Sequence, residues 1–353
     1  MVEMGKSNEK HVSILRKRWL KFKTLKRGYY SLVVLTALYG ISFFLPLLIN
    51  NRALVVHYEG EYYFPSISGY IPGKTFGQDV PGETRYRILR AKFKDDGQDN
   101  WVLMPPYPYS PFEDITFEGN KMYKPPSNKH WLGTDNTGRD VFARLCYAFN
   151  ISISFALILT VINYIFGVLI GGAMGYFGGK FDLFFQRLIE IWSSLPMLFV
   201  IIIISSILMP SFFLLIGIYT LVNWISMTYL MRAEFYREKA KDYVAAALSM
   251  GQSDFKVMFK HILPNSLVPI ITYFPFTVIG GISALVGLDY LGFGLAPPTP
   301  SWGQMLDVGL QNISKWWMVF SPVSAQFLTL LSIVFIGEGV REAFDPKVYS
   351  RLR

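Results

Sequence analysis

The chain has 353 residues and a formal charge of +9; 52% of its residues are hydrophobic, 16% aromatic and 17% charged, the last well below the roughly 25% of soluble domains. One cysteine, Cys146, excludes an intramolecular disulfide framework and a thiolate zinc cluster, and four scattered histidines (His11, His57, His130, His261) argue against a histidine-rich metal site. High hydrophobicity with low charge excludes a disordered chain; the basic balance fits either nucleic acid or a membrane protein with a basic cytoplasmic side.

Residues 1–27 form a basic tail with nine Lys and Arg and two acids. An uncharged run over 28–49 follows, longer than the roughly 7–15 apolar residues of a signal peptide and ending in Asn50-Asn51-Arg52 rather than a small-residue cleavage site. It predicts an uncleaved first transmembrane helix. Residues 50–144, rich in Tyr, Pro and Gly, predict an irregular, partly β external lobe, with strand-like runs at 53–58 and 101–104. Gly73-Lys74-Thr75 looks like the end of a phosphate loop, but Ser68 stands where that motif needs glycine and Pro72 interrupts it, so a plain turn is expected.

Further uncharged runs cover 145–179, 191–209, 211–230, 268–288 and 316–337. A bilayer core needs about 20 apolar helical residues, and six such runs predict an all-α polytopic membrane protein with six transmembrane helices. A five-helix core over 145–340 and a C-terminal tail over 341–353 complete the organisation. An N-terminus inside places the C-terminus inside too. The segments 175–190, 231–267 and 338–353 then add two, six and four Lys and Arg to the cytoplasmic side, as the positive-inside rule asks. This accounts for the +9 without nucleic acid.

Within the spans, Gly167, Gly171 and Gly175 recur every four residues, a small-residue stripe that lets helix backbones approach. Gly280 with Ala284, and Ser283 with Gly287, repeat the pattern in the fifth span. Pro196 and Pro275 lie inside runs and should kink them. Polar residues in spans are costly, which makes Asn223, Trp224, Glu190 and Asp289 candidates for a translocation pathway; the two acids flank spans, and reaching the interface is the alternative for them. Arg139 and Asp140 fit a role in orienting an interfacial helix.

The cytoplasmic loop over 232–267 carries the most specific pattern. Tyr243, Ala246, Ala247 and Met250 share one face by helical spacing. Gly251 is placed to end that helix in a left-handed conformation, Ser253 can cap a second helix, and Pro264 interrupts before the next span. The loop reads as helix, glycine turn, helix at the membrane surface, with an interfacial helix lying on lipid as the alternative.

Tyr243-Val-Ala-Ala-Ala-Leu-Ser-Met-Gly251 followed by His261-Ile-Leu-Pro-Asn265 resembles the coupling loop of ABC importer permeases. Ala246, Ala247, Gly251, Leu263 and Pro264 match the family pattern. Ala245 stands where the family usually has Glu, and His261 where it often has Ile. Trp131-Leu-Gly-Thr-Asp-Asn-Thr-Gly-Arg-Asp140, Gly175-Tyr-Phe-Gly-Gly-Lys-Phe-Asp182, Leu291-Gly-Phe-Gly-Leu-Ala-Pro-Pro-Thr-Pro-Ser-Trp-Gly-Gln-Met-Leu306 and Gly337-Glu-Gly-Val-Arg-Glu-Ala-Phe-Asp-Pro346 are similar to motifs of peptide-type permeases. Together they cover residues 130–347 almost continuously. The first span and the lobe, with His57-Tyr-Glu-Gly-Glu-Tyr-Tyr-Phe-Pro65, resemble the oligopeptide and microcin C importer branch.

The resemblance implies a type I ABC importer permease that hydrolyses nothing itself. It implies as partners a second homologous permease, two ATP-binding subunits or one fused ATPase that bind ATP and Mg, an external substrate-binding protein, the lipid bilayer and a peptide substrate. Alternating access driven by ATP is the implied mechanism. Asp242, Tyr243, Ala246, Ala247, Met250, Gly251, Leu263 and Pro264 become the candidate ATPase-coupling residues. An ion-coupled secondary transporter is the alternative; its usual intramembrane ion pairs and internal repeat are absent from the sequence.

Overall fold

The computed structural model describes residues 14–79, 81–96, 99–114 and 122–345. Residues 1–13 of the basic tail and 346–353 of the C-terminal tail lie outside these. A basic helix, α1 (Ile14–Thr24), leads into α2 (Lys26–Ser42). The first uncharged run is not one helix: α2 ends at Ser42 after 17 residues, residues 43–44 turn, and α3 (Leu45–Leu48) restarts with a proline in its first turn, where a missing N–H breaks no helical bond.

The lobe holds β1 (Val55–Tyr58), β2 (Glu61–Tyr63), α4 (Pro65–Ser68), α5 (Tyr86–Asp96) and β3 (Trp101–Leu103). The sheet is antiparallel in the order β2-β1-β3, with Val56 opposite both Tyr63 and Val102. Glu59 (φ 51°) and Gly60 (φ 85°) both adopt left-handed backbone, the turn geometry that suits a two-residue hairpin. Ala53, Val56, Phe76, Tyr86, Leu89 and Phe93 are buried between sheet and helix. Gly73–Phe76 is a single 3-10 turn with Gly73 buried, so the phosphate-loop lookalike is a structural turn.

The helical part follows: α6 (Val141–Phe177), α7 (Gly179–Ser193), α8 (Met197–Ile207), α9 (Phe212–Lys239), α10 (Asp242–Ser249), α11 (Asp254–Lys256), α12 (Leu263–Asn265), α13 (Leu267–Tyr290), α14 (Trp302–Gln311) and α15 (Trp316–Phe344). Among the described residues, α6, α9, α13 and α15 are long and apolar enough to cross a membrane. The run over 191–209, expected as one helix, is broken. Ser194 and Leu195 leave the helix, Pro196 precedes α8, and α7 and α8 meet at 71°; the pair is a fifth span only if both halves are counted together. The residue before a proline avoids helical backbone, which is why the break falls there.

Two further boundaries differ from the sequence reading. α6 begins at Val141, inside the stretch assigned to the lobe, because the Asp140 carboxylate accepts from the Ala143 N–H at 2.8 Å and caps it. α9 runs on to Lys239, into the stretch assigned to the loop.

Small residues set the packing. A Cβ on Gly167 would lie 2.6 Å from the Met227 side chain, and one on Gly171 or Gly175 would run into the backbone carbonyl of Thr228 or Arg232. The stripe is therefore the seam between α6 and α9. Gly281 of α13 faces Ala156 of α6. By contrast, Gly280 and Gly287 have nothing within 4 Å among the described residues; in the second predicted stripe it is Ala284 that packs, on the cluster holding Leu215 and Tyr219 of α9, with its carbonyl accepting from the Tyr219 hydroxyl at 3.1 Å. Pro275 lies inside α13 without ending it.

The ends of the bundle are distinct. The start of α6 and the start of α15 meet beside the lobe, where the Trp317 indole donates to the Thr134 carbonyl at 3.4 Å. The end of α15, α1 and the start of α2 meet at the other end: Lys21 Nζ donates to the Glu342 carbonyl at 3.1 Å. That end also carries α10. A helix of 37 residues such as α6 spans about 55 Å, so the two ends stand well apart.

Candidate functional site

The helix pair at the end remote from the lobe is held by a carboxylate. Glu238, in the last turn of α9, is 2% exposed. It accepts from Lys241 Nζ at 2.7 Å and from the Tyr243 hydroxyl at 2.8 Å, and Arg237 lies 3.6 Å away. Burial, and then the Glu238 carboxylate, push the Tyr243 phenol above its ordinary value, so it remains a donor at neutral pH. Val244 and Ala247, each 1% exposed, pack on Phe235, Val257, Met258 and Ile262. α10 is thus an extension of α9 rather than a free loop.

Gly251 ends α10 with φ +77°. Its N–H donates to the Leu248 carbonyl at 2.9 Å, and the Gln252 N–H donates to the Ala247 carbonyl at 3.2 Å, the bond pattern of a glycine-closed helix end. Ser253 stands at the next N-cap but makes no side-chain cap bond. The second helix continues α11 through a π-helical turn, Val257–Ile262, into α12. Pro264 does not interrupt it. The widened turn before it absorbs the lost backbone bond, and the break comes at Ser266. Asp254 ties the pair to α6 by accepting from the Tyr176 hydroxyl at 2.6 Å, and Asp182 of α7 holds Arg232 of α9 with two bonds of 2.6 Å.

The structure divides the candidate coupling residues. Asp242, Ala246, Met250, Gly251 and Pro264 are exposed, Met250 at 71%; Tyr243 and Leu263 are half-buried; Ala247 faces inward. The four residues Tyr243, Ala246, Ala247 and Met250 therefore do not form one exposed face, because the inner face of so short a helix is taken by Val244 and Ala247. Sequence reasoning missed Phe255, 70% exposed, and Phe259, whose rings stack at 6.2 Å. An aromatic pair four residues apart in a charged segment was the available signal. It also missed Glu238, one of several charged residues in its stretch.

The candidate pathway residues do not converge. The Asn223 amide donates to the Tyr219 carbonyl at 3.1 Å on its own helix. The Trp224 indole donates to the Leu221 carbonyl at 2.9 Å, which also accepts from Trp192 of α7 at 2.7 Å. Glu190 is exposed and pairs with Arg187 at 2.6 Å. Asp289 alone is buried, at 3%. Its carboxylate accepts from the Leu295 N–H at 2.6 Å and from the Ser301 hydroxyl, pinning the loop of residues 291–301. It lines a cavity of about 440 Å³ at the lobe end with Asp135, Arg139, Arg144 and Gln304. Asp135, on the cavity wall, binds Arg139 at 2.8 Å; Asp140, next to Arg139 in the chain, accepts from Tyr107 and His130 at 2.7 and 2.9 Å.

An apolar bundle with a glycine seam, a carboxylate-locked helix pair at one end and a cavity holding charged side chains at the other is the build of a multi-pass membrane protein. A family model described as binding-protein-dependent transport system inner membrane component matches residues 167–350, and the chain belongs to that family. It is the membrane permease subunit of an ABC importer. It is 40% identical over 332 residues to the inner membrane ABC transporter permease protein YejE of Escherichia coli (strain K12), covering 93% of this chain and 96% of that protein. To the peptidoglycan transport system permease protein YejE of Agrobacterium fabrum it is 36% identical, covering 94% and 93%. To the dipeptide transport system permease protein DppC of Bacillus subtilis it is 36% identical over 226 residues, 64% of this chain and 71% of the relative.

Proposed function

We propose that this permease carries oligopeptides or peptide-like compounds from an external binding protein across the inner membrane, driven by ATP bound with Mg on separate subunits. The observation that carries the coupling part is the α10 unit. It is fastened to α9 by Glu238 and by the packing of Val244 and Ala247, while Ala246, Met250 and Phe255 stay exposed. A push on that rim moves α9, and α9 is packed against α6 along the glycine seam. The same unit, on a second homologous permease and on this chain, would meet two ATP-binding subunits or one fused ATPase.

The peptide class rests on the relatives, among them dipeptide and oligopeptide permeases. In this reading α2 with α3, and α7 with α8, complete six crossings. The N-terminal and C-terminal ends face the cytoplasm with α10, and the lobe faces outward. The meeting of α1 with the end of α15 supports termini on one side. The test is ATP-driven uptake of short peptides by the complex, purified with its neighbours and reconstituted in vesicles. Uptake that needs both ATP and the binding protein supports the reading; uptake driven by a proton or sodium gradient without ATPases overturns it.

A further inference from the structure

The cavity at the lobe end has its own unmet chemistry. Its volume of about 440 Å³ falls within the roughly 300–1,000 Å³ typical of small-ligand sites. Its carboxylates are occupied. Asp135 accepts from Arg139 and Thr137, Asp289 from Leu295 and Ser301, and Asp307 from the Gln311 amide at 3.0 Å.

Arg144 is not occupied in the same way. It lies in the first turn of α6, is 2% exposed and lines the cavity. Its Nη1 reaches only two backbone carbonyls, of Pro111 at 3.3 Å and Pro298 at 3.4 Å. Its Nε stands 3.7 Å from the Asp135 carboxylate, beyond hydrogen-bond length, and has no hydrogen-bond partner among the described residues. A buried cation so weakly paired is costly unless an anion joins it. Asn136, which lines the same cavity, has a buried Oδ1 with no donor among the described residues. A guanidinium with one N–H, at Nε, lacking an acceptor and an amide oxygen lacking a donor among the described residues together match the end of a peptide chain. The terminal carboxylate accepts from arginine, in the strong charge-assisted geometry guanidinium favours, and the amide N–H just before it donates to the asparagine.

We propose that this cavity is a receiving subsite for the C-terminal carboxylate of a peptide, with Arg144 as its anchor. The inference rests on peptides being the cargo, and goes beyond that reading by naming the end that is held and the residue that holds it. The test compares ATP-driven uptake of a tripeptide lacking acidic side chains with uptake of its C-terminal amide, in the reconstituted complex. Wild type is expected to prefer the acid. In Arg144→Gln, acid uptake is expected to fall about tenfold or more while amide uptake changes less than about twofold, so the preference collapses. Arg144→Lys keeps the charge but loses the planar fork; its preference is expected to fall at least about threefold, which also serves if the Gln variant does not assemble. Equal losses for acid and amide mean that Arg144 only holds the Pro111 and Pro298 loops, and overturn the proposal. A wild type indifferent to the amide overturns it too, leaving the peptide reading intact. Uptake of neither peptide by wild type removes the peptide reading, and this inference with it.

Discussion

Gly171 has no room for a methyl group, because its Cβ would fall on the Thr228 carbonyl of α9. Overpacking of this kind costs about 1–3 kcal/mol, so Gly171→Ala is expected to lower the Tm of the purified complex by several degrees. Gly280→Ala is the matched control. A Cβ on Gly280 would meet nothing within 4 Å among the described residues, and replacing a mid-helix glycine there should be neutral or stabilise by about 0.5–1 kcal/mol. A thermal-shift comparison in the same detergent decides whether the seam or the residue type matters. Gly251→Ala differs again: space is open around it, but its φ of +77° is strained for any L side chain by about 1–2 kcal/mol. The expected result is loosened α10 and weakened ATP-dependent uptake with normal membrane insertion. At this scale the sequence was half legible. The four-residue spacing of small residues is visible in both α6 and α13, but spacing says nothing about which of those residues has a helix backbone pressed against it. Arg144 was invisible for a related reason: its neighbours Arg139 and Asp140 belong to a recognisable motif, and only the fold shows which arginine keeps a buried N–H without a hydrogen-bond partner among the described residues.

α10 behaves as a rigid tip of α9 because Glu238 ties its first turn down. Glu238→Ala removes the acceptor for both Lys241 and Tyr243, a loss of about 1–3 kcal/mol of local order. Hydrogen exchange over residues 240–266 is expected to quicken while the α6–α9 seam stays protected, and uptake is expected to fall by more than ATP turnover does. Unchanged exchange in that segment would show that apolar packing alone holds the tip. The pH behaviour follows from the raised Tyr243 phenol. A group whose folded value is raised contributes fully below its unfolded value, near 10.0, and loses its contribution only as pH rises through the folded one. The tie is therefore expected to persist across neutral and mildly alkaline pH, whereas Tyr243→Phe removes it at every pH. The helix–glycine–helix plan and the position of the turn were readable from Gly251. The π-helical turn before Pro264 was not, since a widened turn leaves no composition signal. The bend at Pro196 was legible as a proline but not as a 71° break.

For the whole molecule, low charge and long uncharged runs were enough to read a polytopic helical membrane protein, because nothing else buries so many apolar residues in a chain this size. The lobe's sheet was legible only as two strand-like runs; its register depends on contacts between residues about 45 positions apart, such as Val56 with Val102. The arrangement of ends is testable with the single cysteine removed (Cys146→Ser). Ile67→Cys, at a lobe position 81% exposed, is expected to react with an impermeant maleimide from outside, and Met250→Cys, at a position 71% exposed, only in inverted vesicles. Labelling of both from the same side would contradict the orientation.

In the proposed importer, ATP-driven force enters this chain at the exposed rim of α10. A photo-crosslinker placed at Met250 in the assembled importer is the decisive probe. The expected result is a crosslink to an ATP-binding subunit whose yield changes when ATP is added, and none from the same probe at Ile67. A complex that still transports while Met250 crosslinks only to lipid, or to nothing, would contradict it.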